Sequence, residues 1–157
     1  MYCLTLIMIG KPKASPHQEI VSDYLKRLGP YAKVEIVSIV EEPFRSQADV
    51  SRVLKIEADR IRDAWSSDAF RVVLAAEGKE FDSKQFAQKI ALWGESGARP
   101  IEFILGGPLG LDPSLQKDAN ATVSLSQLTF PHDLARVMLF EQVYRAMTIL
   151  KGKTYHY

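Results

Sequence analysis

The sequence predicts an α/β fold, a mostly parallel sheet with helices on both faces, and three observations carry that expectation. Short apolar runs suited to buried strands alternate with longer segments whose apolar residues recur at helical spacing. Glycine, proline or a short polar residue punctuates the segment ends, and no repeat, low-complexity tract or linker breaks the order. At 157 residues, 46% apolar and 25% charged, the chain is long enough to bury a core and is expected to form a single domain over 1–157.

Each element has a local cause. The run LTLIMIG reads as the first strand, and Ser15-Pro16-His17-Gln18 reads as a capping box with proline at the first helical position, opening a helix that stops near Leu28 before Gly29-Pro30. VEIVSIV is the second strand. From Ser46 to Ala64, Val50, Val53, Leu54, Glu57 and Ile61 fall at helical spacing with charges on the other face, which predicts a surface helix. RVVLAA is the third strand, expected to turn at Glu77-Gly78-Lys79. Asp82 and Ser83 can cap a helix to about Trp93; PIEFIL is the fourth strand, ending in Gly106-Gly107-Pro108-Leu109-Gly110. Asp112-Pro113 begins a short helix, ATVSL is the fifth strand, and from Pro131 the chain is helical to about Leu150.

Composition excludes several classes. Cys3 is the only cysteine, so neither a disulfide framework nor a cysteine-rich metal site fits within one chain, and no metal is expected. The apolar N-terminal run lacks preceding basic residues and is too short to span a bilayer, so a buried strand is expected, and a protein that is cytoplasmic with no membrane partner. The formal net charge is +1, but from Arg136 onward four basic residues, Arg136, Arg145, Lys151 and Lys153, face one acid, Glu141. The C-terminal end is thus a local basic patch.

In a parallel sheet the loops after successive strands gather at one edge, where ligands bind. Three unusual loops should therefore meet: the turn at Gly78, the glycine loop from Gly106, and the polar loop Ser124 to Phe130. GGPLG is not the G-x-G-x-x-G of a dinucleotide fold, and no G-x-x-x-x-G-K-[ST] phosphate loop occurs. Gly106 and Gly107 would instead let main chain approach a flat or apolar ligand, with Pro108 holding the loop's shape. Ser126 and Thr129 beside Leu125, Leu128 and Phe130 form the mixture expected around an adenine ring and ribose; the competing reading is an ordinary serine-rich turn. The helix after Pro131 is apolar nearly all round, so it is either central to one core or shared between the sheet and a second subunit, and the second is favoured.

FILGGPLGLDPS followed by SLSQLTFPHDLARVMLFEQVYRAMTILKGKTYHY, together with KRLGPY at Lys26 to Tyr31, resembles the ribosomal large subunit methyltransferase H family of knotted SPOUT methyltransferases across essentially the whole chain. The resemblance implies S-adenosyl-L-methionine as methyl donor and N3 of a pseudouridine in a hairpin of the 23S large-subunit ribosomal RNA as acceptor. It also implies a homodimer, action on the assembled ribosome, and a C-terminal trefoil knot. By position, the family's cofactor contacts fall on Leu74, Gly106, Leu125, Ser126, Gln127, Leu128, Thr129 and Phe130. Two departures stand out. Many members have an aspartate and an arginine before the glycine-lysine pair, where this chain has Ala75-Ala76-Glu77, and Tyr157 replaces a usual terminal basic residue.

An imide nitrogen must lose its proton to accept a methyl group, so a base near neutral pH or a cation beside the developing charge is expected. The candidate catalytic residues are His156 as base or orienting group, Arg136 as electrostatic support, and His132 mainly as structure. Lys151, Lys153, Tyr155 and Tyr157 form a basic, aromatic tail able to hold substrate RNA by charge and stacking. Two other classes fit less of the chain: a nucleotide- or S-adenosylmethionine-binding module without catalysis, which the altered Ala75 to Glu77 loop would favour, and a structural ribosome-binding protein.

Overall fold

The computed structural model describes residues 1–94 and 99–153. In chain order the elements are β1 (Tyr2–Ile9), α1 (Pro16–Leu28), β2 (Ala32–Ile39), a 3-10 turn (Gln47–Asp49) running into α2 (Val50–Asp63), β3 (Phe70–Lys79), α3 (Ser83–Trp93), β4 (Ile101–Leu105), α4 (Ser114–Asp118), β5 (Ala121–Val123) and α5 (His132–Leu150). The strands pair in the order β2-β1-β4-β3-β5, and every named pairing is parallel. This is the expected α/β architecture, with the whole five-stranded sheet parallel.

Local chemistry sets most boundaries. The Ser15 side chain accepts from the Gln18 amide and opens α1, but the Gln18 side chain turns to Ser22 instead of completing the reciprocal box. At α3 the box is complete: Asp82 accepts from the Gln85 amide, and the Gln85 side chain accepts from the Asp82 amide.

Alternation along the strands splits the core into two layers. Leu4, Leu6 and Met8 of β1, with Phe103 and Leu105 of β4, pack beneath α1, α3 and α5. Ile7, Ile9, Val73 and Ile104 face the other way, toward Ala58 and Ile61 of α2 and Leu115 of α4. Helix α5 lies between α1 and α3 on the sheet, so its apolar circumference is largely covered by this chain's own elements. Val143, for example, is 1% exposed in that layer. The all-round apolar pattern therefore reflects a helix with neighbours on three sides, and half-exposed Leu134 and Met138 are what remains outside.

The turn expected at Gly78 is a strand instead. β3 pairs Leu74 with Val123, loops out four residues, and pairs Lys79 with the same Val123. The excursion is held because Gly78 lies flat on β5, where a Cβ would sit 2.6 Å from the Val123 carbonyl carbon, and because the Ser124 amide donates to the Lys79 carbonyl at 3.0 Å. Glycine is needed at Gly78 for close approach of two main chains, not for a turn.

Candidate functional site

Because all strands run the same way, the excursion within β3 and the segments after β4 and β5 meet at one edge, and there they form a cleft of about 660 Å³. Its walls are Leu74 to Glu77 of the β3 excursion, the glycine loop from Gly106 to Leu111, and most of the loop before α5. Leu74, Gly106, Leu125, Ser126, Leu128, Thr129 and Phe130, all expected around a cofactor, line this one space. Gln127 is not among the lining residues; its Nε2 donates to Glu80 Oε2 at 3.3 Å. Leu128 is 73% exposed, an apolar side chain held at the mouth.

The glycine loop keeps its shape through its own main chain. The Gly110 amide donates to the Gly107 carbonyl at 3.0 Å across Pro108-Leu109, and Gly110 takes φ +83, a left-handed conformation that glycine adopts without strain. A Cβ at Gly106 would meet the Gly110 carbonyl carbon and oxygen at 2.7 Å. The missing side chain thus makes room for the loop's return.

Sequence reading missed a hydrogen-bonded pair in the cleft wall. Gln116 Nε2, on α4, donates to Glu77 Oε1 at 2.6 Å, and both residues line the wall. Glu77 is held below the ordinary carboxylate range by main-chain hydrogen bonding first and by the Gln116 amide second. The substituted Ala75 to Glu77 loop is therefore part of the cleft and has a polar role. The helical register of Gln116, three residues past Pro113, is the only sequence signal that could have found it.

His132 lines the cleft at the start of α5, its Nε2 3.6 Å from Asp133 Oδ1; Pro131, with no side-chain capping bond, precedes the helix. One turn on, Arg136 is 0% exposed. Its Nη1 reaches Met8 Sδ at 3.6 Å, a weak acceptor, and Nη2 lies 3.4 Å from Asp133 Oδ1, while Nε and Nη2 have no hydrogen-bond partner among the described residues. Burial pushes the guanidinium pKa down, and Asp133 opposes that shift. Met8 pairs in register with Leu105, and Leu105 and Ala135 both line the cleft, so this charge sits directly behind the wall.

Lys151 and Lys153 are not brought to this cleft. Lys153 Nζ lies 3.1 Å from the Tyr31 hydroxyl, and Tyr31 precedes β2 at the opposite edge of the sheet. Helix α5, 19 residues long, separates Lys151 and Lys153 from His132 by about 28 Å at 1.5 Å per residue. Tyr155, His156 and Tyr157 lie outside the described residues. Among the described residues no cluster of three His, Cys, Asp or Glu side chains is placed to hold a metal ion, and no helix is long and apolar enough to cross a membrane.

Residues 3–156 match the family model described as predicted SPOUT methyltransferase. The chain belongs to the SPOUT methyltransferase family. Within that family its curated relatives include proteins named ribosomal RNA large subunit methyltransferase H. One from Streptococcus suis is 41% identical over 156 residues, covering 98% of each chain. Another from Bifidobacterium adolescentis is 43% identical over the same length and coverage. Among solved structures, a probable methyltransferase from Bordetella pertussis Tohama I superposes with TM-score 0.60 at 13% identity, covering 92% of this chain and 93% of that one. At that identity the likeness is one of fold. This SPOUT chain is a methyltransferase, and its cleft lies where its own parallel sheet gathers its loops.

Proposed function

We propose that this SPOUT chain, acting as one domain over 1–157, transfers a methyl group from S-adenosylmethionine to N3 of a pseudouridine in 23S ribosomal RNA on the assembled ribosome in the cytoplasm. The observation that carries the reading is the cleft built from the β3 excursion and the segments after β4 and β5, in a chain related over 98% of its length to proteins named for large-subunit ribosomal RNA methylation.

The lining suits S-adenosylmethionine. Leu74, Leu125 and Phe130 offer apolar walls for an adenine ring, Ser126 and Thr129 offer short hydroxyls for a ribose, and the glycine loop exposes main-chain groups. When bound, the sulfonium supplies an activated methyl group and needs no metal. The chain's own part is to position the acceptor and favour loss of its N3 proton. His132 stands in the cleft lining with Asp133 beside it, and Arg136 provides a fixed positive charge behind the wall that favours an anion in front of it.

His156 enters this reading only through a second copy. From Lys153, three more residues extend at most about 11 Å, against the roughly 28 Å that α5 places between its two ends. The tail of one chain therefore serves the cleft of its partner in a homodimer, with Lys151, Lys153, Tyr155 and Tyr157 holding RNA beside it. The trefoil knot of the family belongs to the same reading.

The test is methyl transfer to ribosomes from cells lacking the modification, with the product nucleoside identified by mass spectrometry. Deleting Tyr155 to Tyr157 should leave S-adenosylhomocysteine binding intact and lower transfer at least about a hundredfold. Mixing that chain with a Gly106→Val chain, whose glycine loop is forced out of shape, should restore part of the activity. A monomer by light scattering that transfers at the full rate refutes the shared site; absence of methyl transfer by the intact protein refutes the function.

A further inference from the structure

A second cavity, of about 360 Å³, lies on the other side of the loop that walls the cofactor cleft, and Leu125 lines both. We propose that this cavity is a pocket for an unpaired nucleobase of the RNA substrate, separate from the position where methyl transfer occurs. The inference rests on the RNA-methylating reading above and extends it to how the substrate is held.

The walls match a base in chemistry and size. Phe81, Phe86 and Met138 supply flat and adaptable apolar surface, while the volume falls at the small end of the roughly 300–1,000 Å³ typical of small-molecule sites. One polar group is left over. Ser124 is 4% exposed, lines this cavity, and its hydroxyl finds no hydrogen-bond partner among the described residues. The neighbouring polar groups are already engaged: Ser83 Oγ donates to Gln142 Oε1 at 2.8 Å, and Gln142 Nε2 donates to Glu141 Oε2 at 2.6 Å. A hydroxyl both donates and accepts, so Ser124 can serve the edge of any base without selecting one.

Two lysines stand at the rim beside the aromatic surface. Lys79 Nζ and Lys89 Nζ lie 5.4 and 5.9 Å from the centre of the Phe81 ring. The nearby carboxylates keep their charge but are held within the chain: Asp82 Oδ1 accepts from the Gln85 amide, Glu80 Oε2 from Gln127, and Glu141 pairs with Arg145. Aromatic surface interleaved with lysines is the arrangement that binds single-stranded nucleic acid, with bases on the rings and phosphates on the cations. An apolar side chain from another protein would leave both the ammonium groups and the Ser124 hydroxyl without a counterpart.

The experiment uses the full chain and unmodified ribosomes, with three readouts: S-adenosylhomocysteine affinity by calorimetry, ribosome binding by co-sedimentation, and oligomeric state by light scattering. Met138→Trp should fill the cavity and weaken ribosome binding about tenfold or more, the loss expected for one base-aromatic contact. Ser124→Ala, which adds no bulk, should weaken it by a smaller factor, and both variants should bind S-adenosylhomocysteine as the parent does. Ribosome binding that is unchanged in both variants overturns the proposal, as does a change of oligomeric state with ribosome binding per dimer retained, which would make the cavity a contact between copies. If the parent protein methylates ribosomes while neither variant is impaired, only this inference falls. If the parent neither binds nor methylates them, the function reading falls first and takes this inference with it.

Discussion

Replacing Arg136 with methionine should make the protein more stable and less active. The guanidinium is 0% exposed, its Nε and Nη2 have no hydrogen-bond partner among the described residues, and its contacts are the Met8 sulfur at 3.6 Å and Asp133 Oδ1 at 3.4 Å. Arginine keeps its charge at neutral pH even when burial lowers its pKa, so the fold carries a cation whose desolvation is poorly offset. Replacing a buried ion pair by apolar side chains of similar volume is commonly neutral or stabilising by about 1–4 kcal/mol, and in this pair only the arginine is buried, so its replacement alone removes the buried charge. Asp133 is left behind, but its side chain is 35% exposed and water can solvate it. A gain of about 2 kcal/mol corresponds to a rise of roughly 4–8 °C in Tm for a domain of this length. Paired measurements decide it: thermal and urea unfolding of Arg136→Met beside the parent, and methyl transfer to ribosomes, expected to fall at least about tenfold with loss of the charge behind the cleft. Destabilisation by about 3 kcal/mol or more would show that the guanidinium is well paired and refute the reasoning from burial. Higher stability with undiminished transfer would refute its role in the site.

Gly106→Val should lose S-adenosylhomocysteine binding in calorimetry, because its Cβ would collide with the Gly110 carbonyl at 2.7 Å and push the loop out of shape; normal binding by a folded variant would mean that the loop tolerates the shift. Glu57, 4% exposed, accepts from the Glu42 amide, and its pKa is raised mainly by burial, with that hydrogen bond opposing the rise. A raised carboxyl pKa means that its stabilising contribution is complete below the ordinary value of 4.5 and disappears as pH rises through the folded value. Glu57→Gln keeps the acceptor without the charge, so urea midpoints should favour the variant at pH 7 and converge with the parent near pH 4; equal gains at both would contradict this.

Much of this molecule follows from short stretches read alone. Ser15 and Asp82 cap helices because their side chains lie three residues from the amides they satisfy, and the strand and helix periods are fixed by apolar residues two or three to four apart. Parallel pairing follows from the alternation, and with it the gathering of Leu74, Gly106 and the loop from Leu125 to Phe130 at one edge. Other features depend on segments distant in sequence. Gly78 is a strand residue because β5, more than forty positions on, lies against it. Helix α5 is apolar on several sides because α1, α3 and the sheet all cover it, and no local pattern distinguishes those neighbours from a second subunit. Glu77 finds Gln116 in the cleft wall, Arg136 loses its water beneath Met8, and Lys153 ends beside Tyr31 at the edge away from the cleft. Local hydrogen bonds and residue spacing are written in consecutive residues, whereas solvation, charge pairing and the distance between two ends of a helix exist only once distant strands have paired.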